Sequence, residues 1–534
     1  MTNSLAPAAL LALLGPAALL LADLAVPLRR GTMSPAVLDA GRWATLVALG
    51  AAVLAAAAVA IRGTLVSPVL GWGGIGLSVR LDALSATLFL LVAFVGVIVV
   101  EFARRYLAGD PGHAGFIGRL TATLASVMLL VLAGNIGQLF LGWIAASLML
   151  HRLLLFRPER TRAIVAARKK FVAARLGDAA LAGALVLLVG AFGSPDIGGI
   201  LAGARAMAAG DGLTTPVTAA TLLLALAAIL KSAQFPLHGW LPDVIETPTP
   251  VSALLHAGLI NAGGFLVLRF ADVMAPSASA GMLLLVIGGV TALFGSIVML
   301  TQTSIKVSLA YSTIGQMGFM LFQCGLGAYP IALLHIVAHS LYKAHAFLSS
   351  GSVVDLARAS WVPAAGTRRA ATLTIALAGA LTLYLGLGAA LGKSLAARPA
   401  VVALGAILVM GVTHLLAQSF EGRARLSVFI RTGFAATATT LLFFGLEWLA
   451  ELLLAGAMPV MRPLDGAALV GLGLVVTAFA AVTVLQWFAP ALQRSRGWRA
   501  AQVHLRHGLY ITTLFDRLVG AYRLPTSTTP EAAR

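Results

Sequence analysis

Apolar runs of about 20 residues recur along nearly the whole chain, and such a run spans a bilayer as an α-helix. Hydrophobic residues make up 60% of the 534 residues and charged residues only 10%. A soluble domain of this composition would expose large apolar patches and aggregate. The sequence therefore predicts an all-α polytopic membrane protein of about 15 transmembrane helices (roughly 13–16), with spans centred roughly at residues 15, 51, 92, 127, 146, 187, 225, 258, 290, 315, 340, 381, 409, 442 and 477.

The basic residues lie mostly on one predicted side of the membrane. Loops after odd-numbered spans, together with the C-terminal tail, hold most of the 37 Lys and Arg residues. Because cytoplasmic loops are enriched in these residues, the bias predicts an N-terminus outside the cell and a cytoplasmic C-terminus. The first apolar run, about 4–27, lacks a basic leader and a cleavage site, so we expect a retained span. The net charge of +18 thus reflects topology and not a nucleic-acid partner.

Motifs for cofactor chemistry are absent from the sequence. Cys324 is the only cysteine, which excludes an intrachain disulfide, and no Cys/His cluster has the spacing of a zinc site. No phosphate-binding loop, nucleophile elbow or haem motif occurs. We therefore expect a transport subunit that is not an enzyme and holds no cofactor or metal of its own.

The spans follow one another without a linker that could separate soluble domains. Two lysines five helices apart are each followed by a histidine near the next span, as Lys231 by His256 and Lys393 by His414. This spacing favours two inverted five-helix repeats with broken helices at matching positions. The predicted division is N-terminal helices over 1–110, a first repeat over 111–270, a second repeat over 271–425, C-terminal helices over 426–488 and a basic amphipathic tail over 489–534.

Lys231 ends one apolar run, and Phe235-Pro236 follows it. Proline cannot continue the backbone hydrogen-bond ladder, so the sequence predicts a broken helix with a lysine at the break. An ionisable side chain inside the membrane costs roughly 2.5–3.5 kcal/mol and usually serves an ion or proton pathway. A lysine that reaches back to the membrane interface is the alternative.

One span carries several ionisable groups. His335, His339 and Lys343 are spaced i, i+4 and i+8, which places them on one helical stripe. Because histidine titrates near neutrality, this stripe suits a chain of proton transfers. Paired histidines can also share a metal ion, but no carboxylate lies nearby in the segment. His256, inside the eighth span, is either part of the same pathway or a buried structural histidine.

Three further residues have two interpretations each. Asp178 lies three positions after Arg175, so it is either a pathway carboxylate or half of a static ion pair. Lys393 lies at a glycine-rich helix end, where an interfacial lysine is equally expected. His414 is ambiguous in the same way as His256.

Two basic segments lie outside the predicted spans. The longest loop, about 152–176, reads as a solvated, lipid-facing loop or as a docking surface for a cytoplasmic partner. The tail from about 489 is basic and amphipathic. We expect it to lie on the membrane surface or on a partner.

The segment KSAQFPLHGWLPDVIETPTPVSALLH at 231–256 resembles the antiporter-like membrane subunits of respiratory complex I and of multisubunit Na⁺/H⁺ antiporters. The resemblance extends to RLDALSATL (80–88), FLGWIAASL (140–148), ARLGDA (174–179) and HSLYKAHAFLSSGSV (339–353), and covers about 75–420. It implies that the buried lysines and histidines lie on a hydrated polar axis that carries protons, namely Lys231, His256, His335, His339, Lys343 and, at the second break, Lys393.

The sequence departs from that family at Ile144. Proton-pumping members carry a glutamate after the Gly-Trp of this span, where Gly142-Trp143 is followed here by Ile144. Lys231 therefore lacks the carboxylate that usually partners it. HAGLINAGGFLVLR and HSLYKAHAFLSSGS are most similar to an offshoot of the family, the membrane subunits of bacterial DAB inorganic-carbon pumps.

That resemblance implies a multi-pass subunit of the bacterial inner membrane that couples flow of protons or Na⁺ to hydration of CO₂ to bicarbonate. The implied partner is DabA, a large cytoplasmic zinc protein resembling β-carbonic anhydrase, with the zinc on that partner. A proton-pumping subunit of NADH-quinone oxidoreductase and a subunit of a multisubunit Na⁺/H⁺ antiporter are the alternatives.

Overall fold

The structure is a computed structural model that describes residues 6–26, 35–210, 212–351, 370–393, 399–419, 426–454, 456–459, 464–492 and 495–520. These residues form α1 (Leu14–Leu24), α2 (Pro35–Arg62), α3 (Ala83–Tyr106), α4 (His113–Val131), α5 (Ile136–Leu154), α6 (Thr161–Phe192), α7 (Ile197–Ala209), α8 (Thr215–Lys231), α9 (Trp240–Asp243), α10 (Thr249–Ala257), α11 (Ala262–Arg269), α12 (Ala271–Met274), α13 (Ala278–Met299), α14 (Ile305–Gly325), α15 (Tyr329–Leu348), α16 (Ala370–Ala390), α17 (Pro399–Ser419), α18 (Leu426–Leu453), α19 (Gly466–Leu492), α20 (Arg496–Arg506) and α21 (Ile511–Leu518).

Short 3-10 segments and two small hairpins connect some of these helices. The 3-10 segments are Ala6–Leu13, Leu237–Gly239, Val244–Glu246, Leu259–Asn261 and Gly508–Tyr510. The strands β1 (Leu65–Val66) and β4 (Arg80–Leu81) pair antiparallel, as do β2 (Leu70–Trp72) and β3 (Ile75–Leu77).

The predicted all-α membrane fold is confirmed. Within the described residues, 12 helical segments are long and apolar enough to cross a membrane, and three shorter apolar helices add to them. Each predicted span centres inside one of the helices, except that the eighth centres at Gly258, where α10 gives way to α11. Apolar side chains from most of these helices share one large buried core.

The predicted break after Lys231 is present. α8 ends at Lys231, the next residues leave helical geometry, and Ala233 has a φ of 49°. Phe235 donates its backbone N–H to Thr291 Oγ1 on α13 at 3.1 Å, which satisfies a group that a continuous helix would have bonded internally. The chain resumes as short helical pieces from Leu237 to Glu246, so the lysine lies at the end of a half-helix.

Ion pairing and close packing hold neighbouring helices together within each part of the bundle. Arg269, at the end of α11, donates to both oxygens of Asp82, the N-cap of α3, at 2.5 and 3.2 Å. Burial disfavours the Asp82 carboxylate, yet the Arg269 guanidinium holds its pKa well below the usual range. Farther along, α13 and α14 approach so closely that a Cβ on Gly288 would lie 2.5 Å from the backbone nitrogen of Phe322. Small residues allow such an approach between membrane helices.

The interpretation of 152–176 as a solvated loop is wrong beyond residue 160. Residues 161–192 form a single helix, and within it Lys169 and Lys170 are buried at 3% and 6% exposure. The loop prediction was wrong because alanine, lysine and arginine all have high helix propensity, so this basic segment is as compatible with a helix as with a solvated loop. The two lysines are buried because tertiary partners, which the local sequence does not reveal, surround them.

The basic tail is partly as predicted. α20 is amphipathic and has no buried residue, but α21 packs on the chain itself. Phe515 is buried, Thr512 lies against Gly239, and Asp516 forms an ion pair with Lys169. The tail therefore lies in part against the broken helix, which was not among the two expected locations.

Candidate proton pathway

Lys231 contacts an aromatic ring instead of a carboxylate. Its ammonium lies 4.1 Å from the centre of the Trp143 ring and donates to the Trp143 carbonyl at 3.3 Å. The indole Nε1–H of Trp143 in turn donates to Asp178 Oδ1 at 2.8 Å, while Arg175 pairs with Asp178 Oδ2 at 2.5 Å. Asp178 thus forms the expected ion pair with Arg175 and also reaches Lys231 indirectly, through the indole.

Lys231 forms no direct ion pair among the residues that the structure describes. In the described part of the chain, no Asp or Glu oxygen lies within 4.0 Å of its ammonium. Ile144 is half-buried and packs against the apolar core. A cation over a desolvated aromatic ring gains about 2 kcal/mol, which is less than a buried carboxylate partner can supply.

Lys170 is a second buried lysine beside Lys231. Its ammonium donates to the carbonyl oxygen of Ser147 at 2.5 Å and to Ser147 Oγ at 2.8 Å. Lys170 and Lys231 both line a cavity of about 20 Å³ between α5, α6, α8 and Trp240. A space of this size holds about one water molecule, which would bridge the two amines.

Lys169, next to Lys170, faces the break from another side. It pairs with Asp243 of α9 at 2.5 Å and with Asp516 of α21. Burial raises the pKa of the Asp243 carboxyl, and the Lys169 ammonium only partly offsets that effect. The three groups join α6, the short helices after the break and the tail in one ionic contact.

His256 and Lys343 lie on α10 and α15, which pack together. His256 is fully buried, stacks on Phe347 with ring centres 4.3 Å apart, and its Nδ1 lies 3.0 Å from Thr313 Oγ1. Lys343, also fully buried, donates to the carbonyl oxygen of Leu309 at 3.1 Å. Because Thr313 and Leu309 are one turn apart on α14, that helix holds both titratable groups.

The histidine stripe opens onto a large cavity. The rings of His335 and His339 lie 6.2 Å apart, and His335 Nδ1 is 3.0 Å from Gln323 Oε1. Both histidines line a cavity of about 520 Å³, which has room for many water molecules. Gln316 also lines it, whereas His345 lies off the stripe on the exposed side of α15.

Glu447 lies on the opposite wall of this cavity. It is buried at 4% exposure on α18, and Lys393 Nζ lies 3.2 Å from its Oε2. Glu451, one turn farther along α18, lies 3.8 Å from the same ammonium. The carboxylate that pairs with Lys393 thus lines the same cavity as the histidine stripe.

His414 is the predicted site residue that stands apart. It contacts Trp487 of α19 edge to face, with ring centres 6.2 Å apart. It is not among the residues that line the 520 Å³ cavity.

Lys170 and Glu447 are the residues that sequence reasoning missed. The signal for Lys170 was a charged pair inside an uninterrupted alanine-rich helical pattern. For Glu447 it was a carboxylate in the interior of an apolar span. Among the described residues, no group of three or more His, Cys, Asp or Glu is placed to hold a metal ion.

Two family models match the chain. The model of the NADH:quinone oxidoreductase/Mrp antiporter transmembrane region matches residues 133–367, and that of the complex I chain 5 N-terminus matches 72–117. A protein of Halothiobacillus neapolitanus named "Probable inorganic carbon transporter subunit DabB2" is 38% identical over 528 residues, which cover 95% of this chain and 93% of the relative. The chain belongs to the DabB family.

Other DabB relatives and solved structures agree with this assignment. The DabB of Hydrogenovibrio crunogenus is 43% identical over 310 residues, which are 56% of this chain and 59% of that protein. The Mrp complex of Dietzia sp. DQ12-45-1b contains a chain that superposes with a TM-score of 0.63 at 26% identity, over 96% of this DabB-family chain and 60% of that chain. This DabB-family chain is therefore similar, over its central helices, to the complex I and Mrp antiporter-like subunits.

Proposed function

We propose that this chain is the ion-conducting membrane subunit of an energy-coupled inorganic-carbon accumulation complex in the bacterial inner membrane. Protons, or Na⁺, move along the buried polar groups, and their flow drives hydration of CO₂ to bicarbonate by a cytoplasmic partner. The partner is a large zinc protein of the DabA type, and catalysis takes place there. The bias of basic residues supports a cytoplasmic C-terminus, on the partner's side.

The observation that carries this proposal is the line of buried titratable groups from Lys231 to Lys393. Such groups are expensive inside a membrane, and here they stand near a one-water space at one end and a 520 Å³ cavity at the other. Lysines and histidines can each hold or release a proton, and the cavity holds the water between them. Proton transfer accounts simply for Lys343, a fully buried ammonium that donates a hydrogen bond to the backbone carbonyl of Leu309.

Growth of a carbonic-anhydrase-deficient bacterium at ambient CO₂ tests the proposal. Co-expression of the wild-type chain with its partner should restore growth, whereas Lys231→Ala or Lys343→Ala should abolish the rescue. His345→Ala is the matched control, because His345 lies on the same helix as Lys343 but is exposed. Full rescue by both lysine variants, at wild-type levels of membrane insertion, would refute a role for these groups in conduction.

A respiratory proton-pumping subunit is the second candidate, because the family model over 133–367 includes complex I. Affinity purification of the tagged chain separates the candidates. A single large zinc protein in the eluate supports the carbon-accumulation complex. Quinone-reductase subunits support the respiratory candidate, and small antiporter subunits support a Na⁺/H⁺ antiporter.

A further inference from the structure

Glu447 is shared by two parts of the predicted pathway, Lys393 and the histidine stripe. Its carboxylate contacts Lys393 at 3.2 Å and lines the same cavity as His335 and His339. It comes from α18, outside both segments that the family models match. The carboxylate that pairs with Lys393 is therefore supplied by a part of the chain that those models do not describe.

The surroundings of Glu447 suit proton exchange. A carboxylate buried at 4% exposure needs a charged or hydrogen-bonding partner, and Lys393 supplies one. Water in the cavity can reach the carboxylate on one side, and Gln316 and Gln323 are polar groups on the cavity wall. On the other side, the Lys393 side chain keeps 22% of its surface exposed.

We propose that Glu447 is the carboxylate through which the His335–His339 pair exchanges protons with Lys393. This role rests on the proposed ion conduction. A proton leaves a histidine, crosses the cavity through water and binds the Glu447 carboxylate, which becomes a neutral acid. The Lys393 ammonium, which has lost its closer counter-charge while Glu451 remains 3.8 Å away, releases a proton to water on its exposed side. The Glu447 proton then passes to the Lys393 amine and restores the ion pair, so that one proton enters and one leaves.

A purely static ion pair is the alternative role for the same residues. It requires only a negative charge near Lys393, which Glu451 at 3.8 Å also supplies. A relay requires the carboxylate that faces the cavity, and Glu447 lines the cavity whereas Glu451 does not. Glu451 is also 42% exposed in its side chain, so it is the matched control, one helical turn away.

Voltage-driven proton uptake by the complex of the full chain and its partner, reconstituted in liposomes with a pH-sensitive dye inside, tests the relay. Glu447→Gln should lower the rate by about tenfold or more, because the amide cannot accept the proton. Glu447→Asp, which keeps the carboxylate, should retain most of the rate. Glu451→Gln should stay within about twofold of wild type, since general acid–base chemistry at Glu447 remains intact.

The exchanged pair Lys393→Glu with Glu447→Lys is a second variant for the case in which Glu447→Gln fails to insert. It keeps an ion pair between the same helices but places an amine on the cavity wall, so the relay predicts slow uptake. Wild-type uptake by Glu447→Gln or by the exchanged pair, with Lys343→Ala still blocked, would overturn the relay and leave the proposed function standing. A wild-type complex that conducts neither protons nor Na⁺ would overturn the proposed function itself and the relay with it.

Discussion

Lys231 and Lys393 occupy matching predicted positions, but different groups stabilise their charges. Lys231 lies over the Trp143 ring, and the nearest carboxylate, Asp178, contacts the indole instead of the ammonium. Lys393 contacts Glu447 directly and lies near Glu451. The first half has Ile144 where the resemblance implies a carboxylate, and the second half draws one from α18. The comparison teaches that a lysine at a helix end inside a membrane protein can be stabilised by an aromatic ring or by a carboxylate from another helix.

The largest expected effect is on stability, where removal of Lys393 should cost more than removal of Lys231. Lys393→Met leaves the buried Glu447 carboxylate without its ammonium, and breaking a buried pair in this way costs about 3 kcal/mol or more. Lys231→Met should cost less than about 1 kcal/mol, because Asp178 keeps both Arg175 and Trp143. The thermal unfolding midpoint of the purified chain measures the difference.

Equal losses from the two methionine variants would show that Lys231 has a counter-charge as strong as that of Lys393. A matched substitution on the surface, Arg499→Met on the exposed helix α20, controls for the loss of a positive charge alone. It should leave the midpoint unchanged.

Trp143 provides a second test of the comparison, because its ring lies beside the Lys231 ammonium, whereas Lys393 has a carboxylate beside it. Trp143→Leu removes both the ring beneath Lys231 and the donor to Asp178, which should weaken the site by about 2 kcal/mol. Trp143→Phe keeps a ring and loses only the N–H donor, so it should lose about half as much. Voltage-driven proton uptake compares the two, with the rate falling further for Leu than for Phe. If Phe is as slow as Leu, the indole N–H and not the ring supports Lys231.

The smallest effect is expected at the contact between the tail and the first half. Asp516→Asn removes one of the two carboxylates on Lys169 but leaves Asp243, so it should weaken the docking of α21 by about 1 kcal/mol. Hydrogen–deuterium exchange over 511–518 should then be faster, whereas Arg499→Gln on α20 should not change it. Unchanged protection in Asp516→Asn would mean that Phe515 and Thr512 hold the helix without the ion pair.

The sequence was sufficient for features with a local cause. Apolar runs determined the spans, Phe235-Pro236 determined the break, and i, i+4 spacing put His335 and His339 on one stripe. The Arg175–Asp178 pair was predictable for the same reason, since it lies within one helical turn.

Features that depend on contacts between distant helices were not predictable. Glu447 and Lys393 are far apart in sequence, and no spacing rule connects the end of α16 to the middle of α18. Lys170 resembled a solvated residue because its neighbours Arg168 and Arg175 are also basic, and only the packing of α6 on α5 buries it against Ser147. The domain boundaries, the side of the membrane on which each terminus lies and the roles of the site residues stay predictions.

The contact between Asp516 and Lys169 also has a consequence for biogenesis. Lys169 enters the membrane region long before α21 is synthesised, and in that interval its buried ammonium has only Asp243 as a partner. The electrostatic environment of Lys169 is therefore complete only after α21 has been synthesised and has packed against the broken helix.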